Sequence, residues 1–105
     1  GLLPLVGKDT NNNDANYLEF TVTGLLYKEP SGTSISNTAT VAIPAGLDSN
    51  FQCVIFAKGS IVVTFVKSGV TIYAPSGLLL KQDKMASLIC TSTNNYNLTG
   101  ELATS

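Results

Sequence analysis

The sequence predicts an all-β fold, a small antiparallel β-sandwich of roughly seven or eight short strands, on three observations. Apolar side chains recur at every second position in stretch after stretch. No window of about a dozen residues carries the i, i+3, i+4, i+7 pattern of an amphipathic helix without a Gly, a Pro or a β-branched cluster interrupting it. The breaks are turn chemistry: Pro30-Ser31-Gly32 and Pro75-Ser76-Gly77 repeat one signal, with Pro presetting the first turn residue and Gly closing it. The chain of 105 residues fits one domain. Residues 17–105 read as the sandwich and residues 1–16 as an extended N-terminal arm.

The strands follow in order. In residues 17–23, Leu18, Phe20 and Val22 face one way while Glu19, Thr21 and Thr23 face the other. Residues 38–43 turn Ala39, Val41 and Ile43 inward and Thr38 and Thr40 outward. Residues 51–57 and 60–66 are apolar on both faces, as expected of strands in mid-layer or at a subunit contact. Further strands are predicted at residues 70–73, 78–81, 86–91 and 96–102, with turns at Pro44-Ala45-Gly46, Lys58-Gly59, Ser68-Gly69 and Asn94-Asn95. Irregular spacing and the lack of a repeated unit argue against a propeller or solenoid.

Composition excludes several chemistries. Only 12% of residues are charged, against 44% hydrophobic, and the net charge is −1. The six basic residues are all Lys, without the clustering that binding to nucleic acid requires. There is no His, which rules out a Ser-His-Asp triad, a Cys-His dyad and a His-bearing zinc site. Absence of Trp removes the strongest aromatic anchor for a sugar or cation. No apolar run approaches the ~18 residues of a membrane helix, so membrane insertion is not expected. Cys53 and Cys90 sit in apolar strands and read as buried thiols.

Two site-like patterns fail on inspection. Asp9-Thr10-Asn11-Asn12-Asn13-Asp14 opens like a calcium loop, but that loop needs Gly where Asp14 stands and Glu where Phe20 stands. A polar loop with Asx-type backbone bonding explains it better. The carboxylates Asp9, Asp14, Glu19, Glu29, Asp48, Asp83 and Glu101 are scattered one per turn or strand end, so a glycosidase pair is not expected. Catalytic residues, cofactors and metals are therefore all expected to be absent.

A chain this small cannot bury both faces of two apolar strands, and leftover apolar faces point to oligomerisation. The candidate subunit interface comprises Val54, Phe56, Val62 and Thr64. Leu2, Leu3, Leu5 and Val6, punctuated by Pro4, form an apolar segment too short for a core of its own and are candidates for anchoring the domain to a larger particle.

The second half carries a resemblance. Its residues are Val41-Ala42-Ile43-Pro44, then Phe51-Gln52-Cys53-Val54-Ile55-Phe56, then Gly59-Ser60-Ile61-Val62-Val63-Thr64-Phe65. Ser68-Gly69-Val70-Thr71-Ile72, Pro75-Ser76-Gly77 and Leu79-Leu80-Lys81 continue it. Ala86-Ser87-Leu88-Ile89-Cys90 and Asn95-Tyr96-Asn97-Leu98-Thr99-Gly100-Glu101-Leu102 close it. Together these segments resemble a recurring module of tailed-bacteriophage virion proteins, whose members end in a similar aromatic-x-Leu-x-Gly-acidic-Leu hairpin, often with Trp at the place of Tyr96. About three fifths of the chain is covered, by short motifs of moderate specificity; residues 1–40 do not take part.

The resemblance implies a jelly-roll-like sandwich, a homotrimer and a virion-surface location after synthesis in the host bacterial cytoplasm. The implied function is non-enzymatic: a capsid decoration (cement) or head-fibre protein whose partner is the major capsid protein or another virion protein. The alternative is a receptor-binding knob of a tail fibre, spike or needle that adheres to a bacterial surface receptor. A knob normally follows a shaft with heptads or Gly-X-Y repeats. The sequence shows neither and reads as a complete decoration protein.

Overall fold

The computed structural model describes residues 6–8, 17–29, 38–59 and 61–105. Its strands are β1 (Val6–Lys8), β2 (Tyr17–Val22), β3 (Leu25–Glu29), β4 (Thr38–Pro44), β5 (Gln52–Lys58) and β6 (Val62–Ser68). They continue with β7 (Thr71–Tyr73), β8 (Leu79–Leu80), β9 (Met85–Ser92), β10 (Asn95–Gly100) and β11 (Leu102–Ala103). The fold is all-β, and among the described residues no helix is long and apolar enough to cross a membrane.

The strands form two sheets. A wide sheet of six strands runs β3-β2-β5-β9-β10-β7, and a narrow sheet of five runs β1-β4-β6-β8-β11. Strict alternation builds both: Ala39, Val41 and Ile43 of β4 point inward, as do Cys53, Ile55 and Ala57 of β5. Leu18, Phe20, Leu88 and Leu98 from the wide sheet and Val63, Phe65 and Leu80 from the narrow one complete one continuous core of fully buried side chains. This is a sandwich, with each sheet's second face turned outward.

Pairing is antiparallel in most registers and parallel in two, β4 with β6 and β7 with β10. The chain's path explains the first exception. β5 lies in the wide sheet between two narrow-sheet strands, so β6 returns beside β4 in the same direction. The predicted strands at residues 17–23, 38–43, 51–57 and 60–66 correspond to β2, β4, β5 and β6. The predicted strand at residues 96–102 is two: Gly100, at φ +123°, ends β10 in the wide sheet and β11 begins in the narrow one. A Cβ at Gly100 would meet the Met85 carbonyl oxygen at 2.7 Å, so only glycine allows this crossing.

β3 was not predicted. A two-residue hairpin turn, Thr23 and Gly24 with φ of 50° and 80°, folds it back on β2, the double positive φ of a type I′ turn. Val6–Lys8, within the stretch read as an arm, pair with β4 at the edge of the narrow sheet, Val6 opposite Ala42.

Candidate interaction surfaces

The register fixes what each sheet presents outward. On the wide sheet, Glu19 lies opposite Phe56 and Phe56 opposite Met85. The next row runs Leu26, Thr21, Val54, Ser87 and Thr99. A third row runs Gln52, Ile89, Asn97 and Tyr73. Leu26, Tyr73, Met85 and Ile89 are exposed, at 57%, 65%, 45% and 39%, and Val54 and Phe56 are half-buried. Glu19 and Lys58, opposite in sign, lie toward one end, where the Lys58 ammonium sits 5.6 Å from the centre of the Phe56 ring.

The narrow sheet presents smaller groups. Thr38, Thr40 and Ala42 of β4 stand opposite Val62, Thr64 and Val66 of β6, with Leu79 beyond Thr64. The described outward positions of these strands carry Thr, Val, Ala, Leu, Pro and Ser, with no aromatic ring.

The four interface candidates therefore do not form one patch. Val54 and Phe56 lie on the outer face of the wide sheet, and Val62 and Thr64 on the outer face of the narrow sheet, on the other side of the core. The physical cause is the crossing after Lys58. Two consecutive apolar strands that look like a hairpin are placed in different layers. Of the anchoring candidates, Leu2, Leu3 and Leu5 lie outside the described residues, and Val6 is in β1. Sequence reasoning missed Leu26, Tyr73, Met85 and Ile89. The signal for two of them was present, since inward Ala86, Leu88 and Cys90 force Met85, Ser87 and Ile89 outward on β9.

Charge is concentrated at one pole. Lys58, Asp83, Lys84 and Glu101 cluster where β5 ends and β9 begins, with an exposed Lys84–Glu101 pair at 3.8 Å. The Met85 amide donates to Glu101 Oε1 at 3.3 Å, and the Glu101 amide donates back to the Met85 carbonyl at 3.0 Å. The opposite pole holds an open hollow of about 340 Å³ lined by Gly46, Leu47, Asp48, Asn50 and Phe51. Beneath that pole the Tyr96 hydroxyl donates to the Pro44 carbonyl at 2.7 Å, tying β10 of the wide sheet to the end of β4. Asn94 Oδ1 accepts from the Gly46 amide at 2.9 Å.

Of the carboxylates, Asp9 and Asp14 lie outside the described residues, Glu19 is on the wide face, Asp48 is at the pole of the hollow, and Asp83 and Glu101 share the opposite pole with Lys58 and Lys84. No group of three or more His, Cys, Asp or Glu residues able to hold a metal occurs among the described residues. Cys53 and Cys90 are free and buried. Burial pushes the Cys53 thiol up to about 12, so it stays a neutral hydrophobe at ordinary pH. Tyr96 is also raised, by burial first and then by the adjacent Cys90.

What these features define is a class, a small two-sheet β-sandwich whose distinguishing chemistry is on its surfaces. Comparison with protein-family models, curated proteins and solved structures gives no match to the chain.

Proposed function

We propose that this chain is a non-enzymatic structural protein of a tailed-bacteriophage virion, a capsid decoration or head-fibre protein that attaches to the shell as a homotrimer. One observation carries the reading: beyond Glu19, Lys28 and Lys58 at one end, the outer face of the wide sheet sets large apolar side chains among uncharged Thr, Ser, Asn and Gln. Interfaces that last are depleted in charge and enriched in aromatic residues and Met. Phe56, Tyr73 and Met85 match that composition. The resemblance of residues 41–102 supplies the virion setting. A free chain with such a face would be prone to non-specific association, whereas a closed oligomer on a particle keeps it covered.

Copy number tests the proposal. Quantitative mass spectrometry of phage particles purified from a lysate in which this protein is made should find hundreds of copies per particle, in fixed proportion to the major capsid protein. A few copies per particle would replace decoration with the receptor-binding knob of a tail. Absence from the particle would remove both.

A further inference from the structure

We infer that the outer face of the wide sheet is the surface on which one copy of this chain docks on another. The inference rests on the homotrimer reading only for stoichiometry; the surface itself follows from charge, side-chain size and area.

Charge comes first. A surface that binds its own copy meets its own charges, and like charges brought together cost several kcal/mol. On the wide face Glu19 has Lys28 opposite it in the register and Lys58 lies beside the Phe56 ring, so these three carry a net +1 gathered at one end, while the rows from Leu26 to Thr99 and from Gln52 to Tyr73 are uncharged. A foreign partner of definite charge would find nothing to select in those two rows. Side-chain size comes second. Phe56, Met85, Ile89 and Tyr73 are groups able to fill a partner's hollows, whereas Val62, Thr64 and Val66 on the narrow face are short and β-branched.

Area decides between the faces. Five strands of the wide sheet, β2, β3, β5, β9 and β10, have five to eight residues. At about 4.8 Å between strands and about 3.3 Å per residue they span about 24 by 20 Å, so three copies that turn this face to a common threefold axis, each face shared between two neighbours, remove up to about 1,400 Å² from water. That is about the total a specific interface needs. The narrow sheet has only two long strands, β4 and β6; β1, β8 and β11 have two or three residues. Its flat area is about half as large or less by the same spacing, too little to hold a copy by itself.

The test is the mass of the assembled full chain in solution, by light scattering and sedimentation, without capsids. The wild-type chain should show three times the chain mass at micromolar concentration. Phe56→Lys and Ile89→Lys should each bring the mass to one third while keeping the β-sheet circular dichroism and cooperative melting of a folded domain. Val62→Lys and Val66→Lys should leave the mass unchanged. A wild-type chain that is monomeric, or Val62→Lys and Val66→Lys variants that dissociate while Phe56→Lys and Ile89→Lys stay assembled, overturns the assignment. A wild-type dimer broken by Phe56→Lys supports the face and removes the threefold symmetry. Failure of an intact trimer to bind capsids contradicts the virion reading and leaves the face as assigned.

Discussion

The two sheets share one core and differ on their outer sides. The wide sheet presents Phe56, Met85, Ile89 and Tyr73; the narrow sheet presents Thr40, Thr64, Val62 and Val66. The register sets Glu19, Lys28 and Lys58 on the outer rows of the wide sheet and Lys8 on those of the narrow one, so charge does not make the difference. Strand length does. Continuous β5, β9 and β10 make a broad platform, while β8 and β11 are two-residue fragments added to a strip two strands wide. An outer face becomes a docking surface only when enough paired strand lies beneath it.

The largest expected effect is at the joint between the sheets. Gly100→Ala places a Cβ 2.7 Å from the Met85 carbonyl oxygen and 2.9 Å from Ala86 Cα, at a φ that L-residues avoid. Gly77, which packs on the Ala103 backbone, is held as tightly. Either substitution should cost several kcal/mol and lower Tm by more than about 10 °C, because β11 can no longer cross to the narrow sheet. Gly24→Ala, with open space around it, should cost only about 1 kcal/mol in a denaturant melt.

The next comparison sets the inside of one strand against its outside. Leu88 and Ile89 are neighbours on β9, one fully buried and the other 39% exposed. Urea melts at a dilution where the chain is monomeric should show a loss of about 2–5 kcal/mol for Leu88→Ala. Ile89→Ala should lose less than about 1 kcal/mol under the same conditions. Equal losses would mean that the wide face is covered within the single chain.

Alkali separates the wide sheet's core from its surface. The unfolded Cys53 thiol ionises near its ordinary 9.0, the folded one only near 12. The group's full stabilising contribution is present below pH 9 and is lost as pH rises from 9 toward 12, by up to about 1.4 kcal/mol per unit. Tyr96 shifts in the same direction. Cys53→Ala should make the fall in stability shallower, and with no His in the chain the curve should be nearly flat around neutrality. A smaller effect is expected at the bridge between sheets: Tyr96→Phe leaves the Pro44 carbonyl without its donor and should cost about 1 kcal/mol.

Much of the fold was legible in the sequence because alternation is a local signal. Ala39, Val41 and Ile43 gave away the inward face of β4. The edge strand β3 was not, because Leu25 and Leu26 are both exposed and break the alternation. Its turn, Thr23-Gly24, did carry the glycine that marks it. Which sheet a strand joins is a long-range matter, fixed by pairings such as Cys53 with Leu88 rather than by neighbours in sequence. Hence Val54 and Val62, eight positions apart, were read as one contact although they face opposite ways. The Gly100 break was hidden for the same reason, since residues 96–102 alternate smoothly across it.

The measurement that bears most directly on the account is an inter-copy distance taken from each face of the wild-type assembly. Spin labels on Thr99→Cys and Thr64→Cys would sit outward on the wide and narrow sheets, both exposed, while native Cys53 and Cys90 are buried away from the reagent. Pulsed dipolar spectroscopy should give a short, narrow distance for the Thr99 label and a longer one for the Thr64 label. The reverse order, or no dipolar coupling from the Thr99 label in a confirmed oligomer, would contradict the claim that the wide face joins the copies.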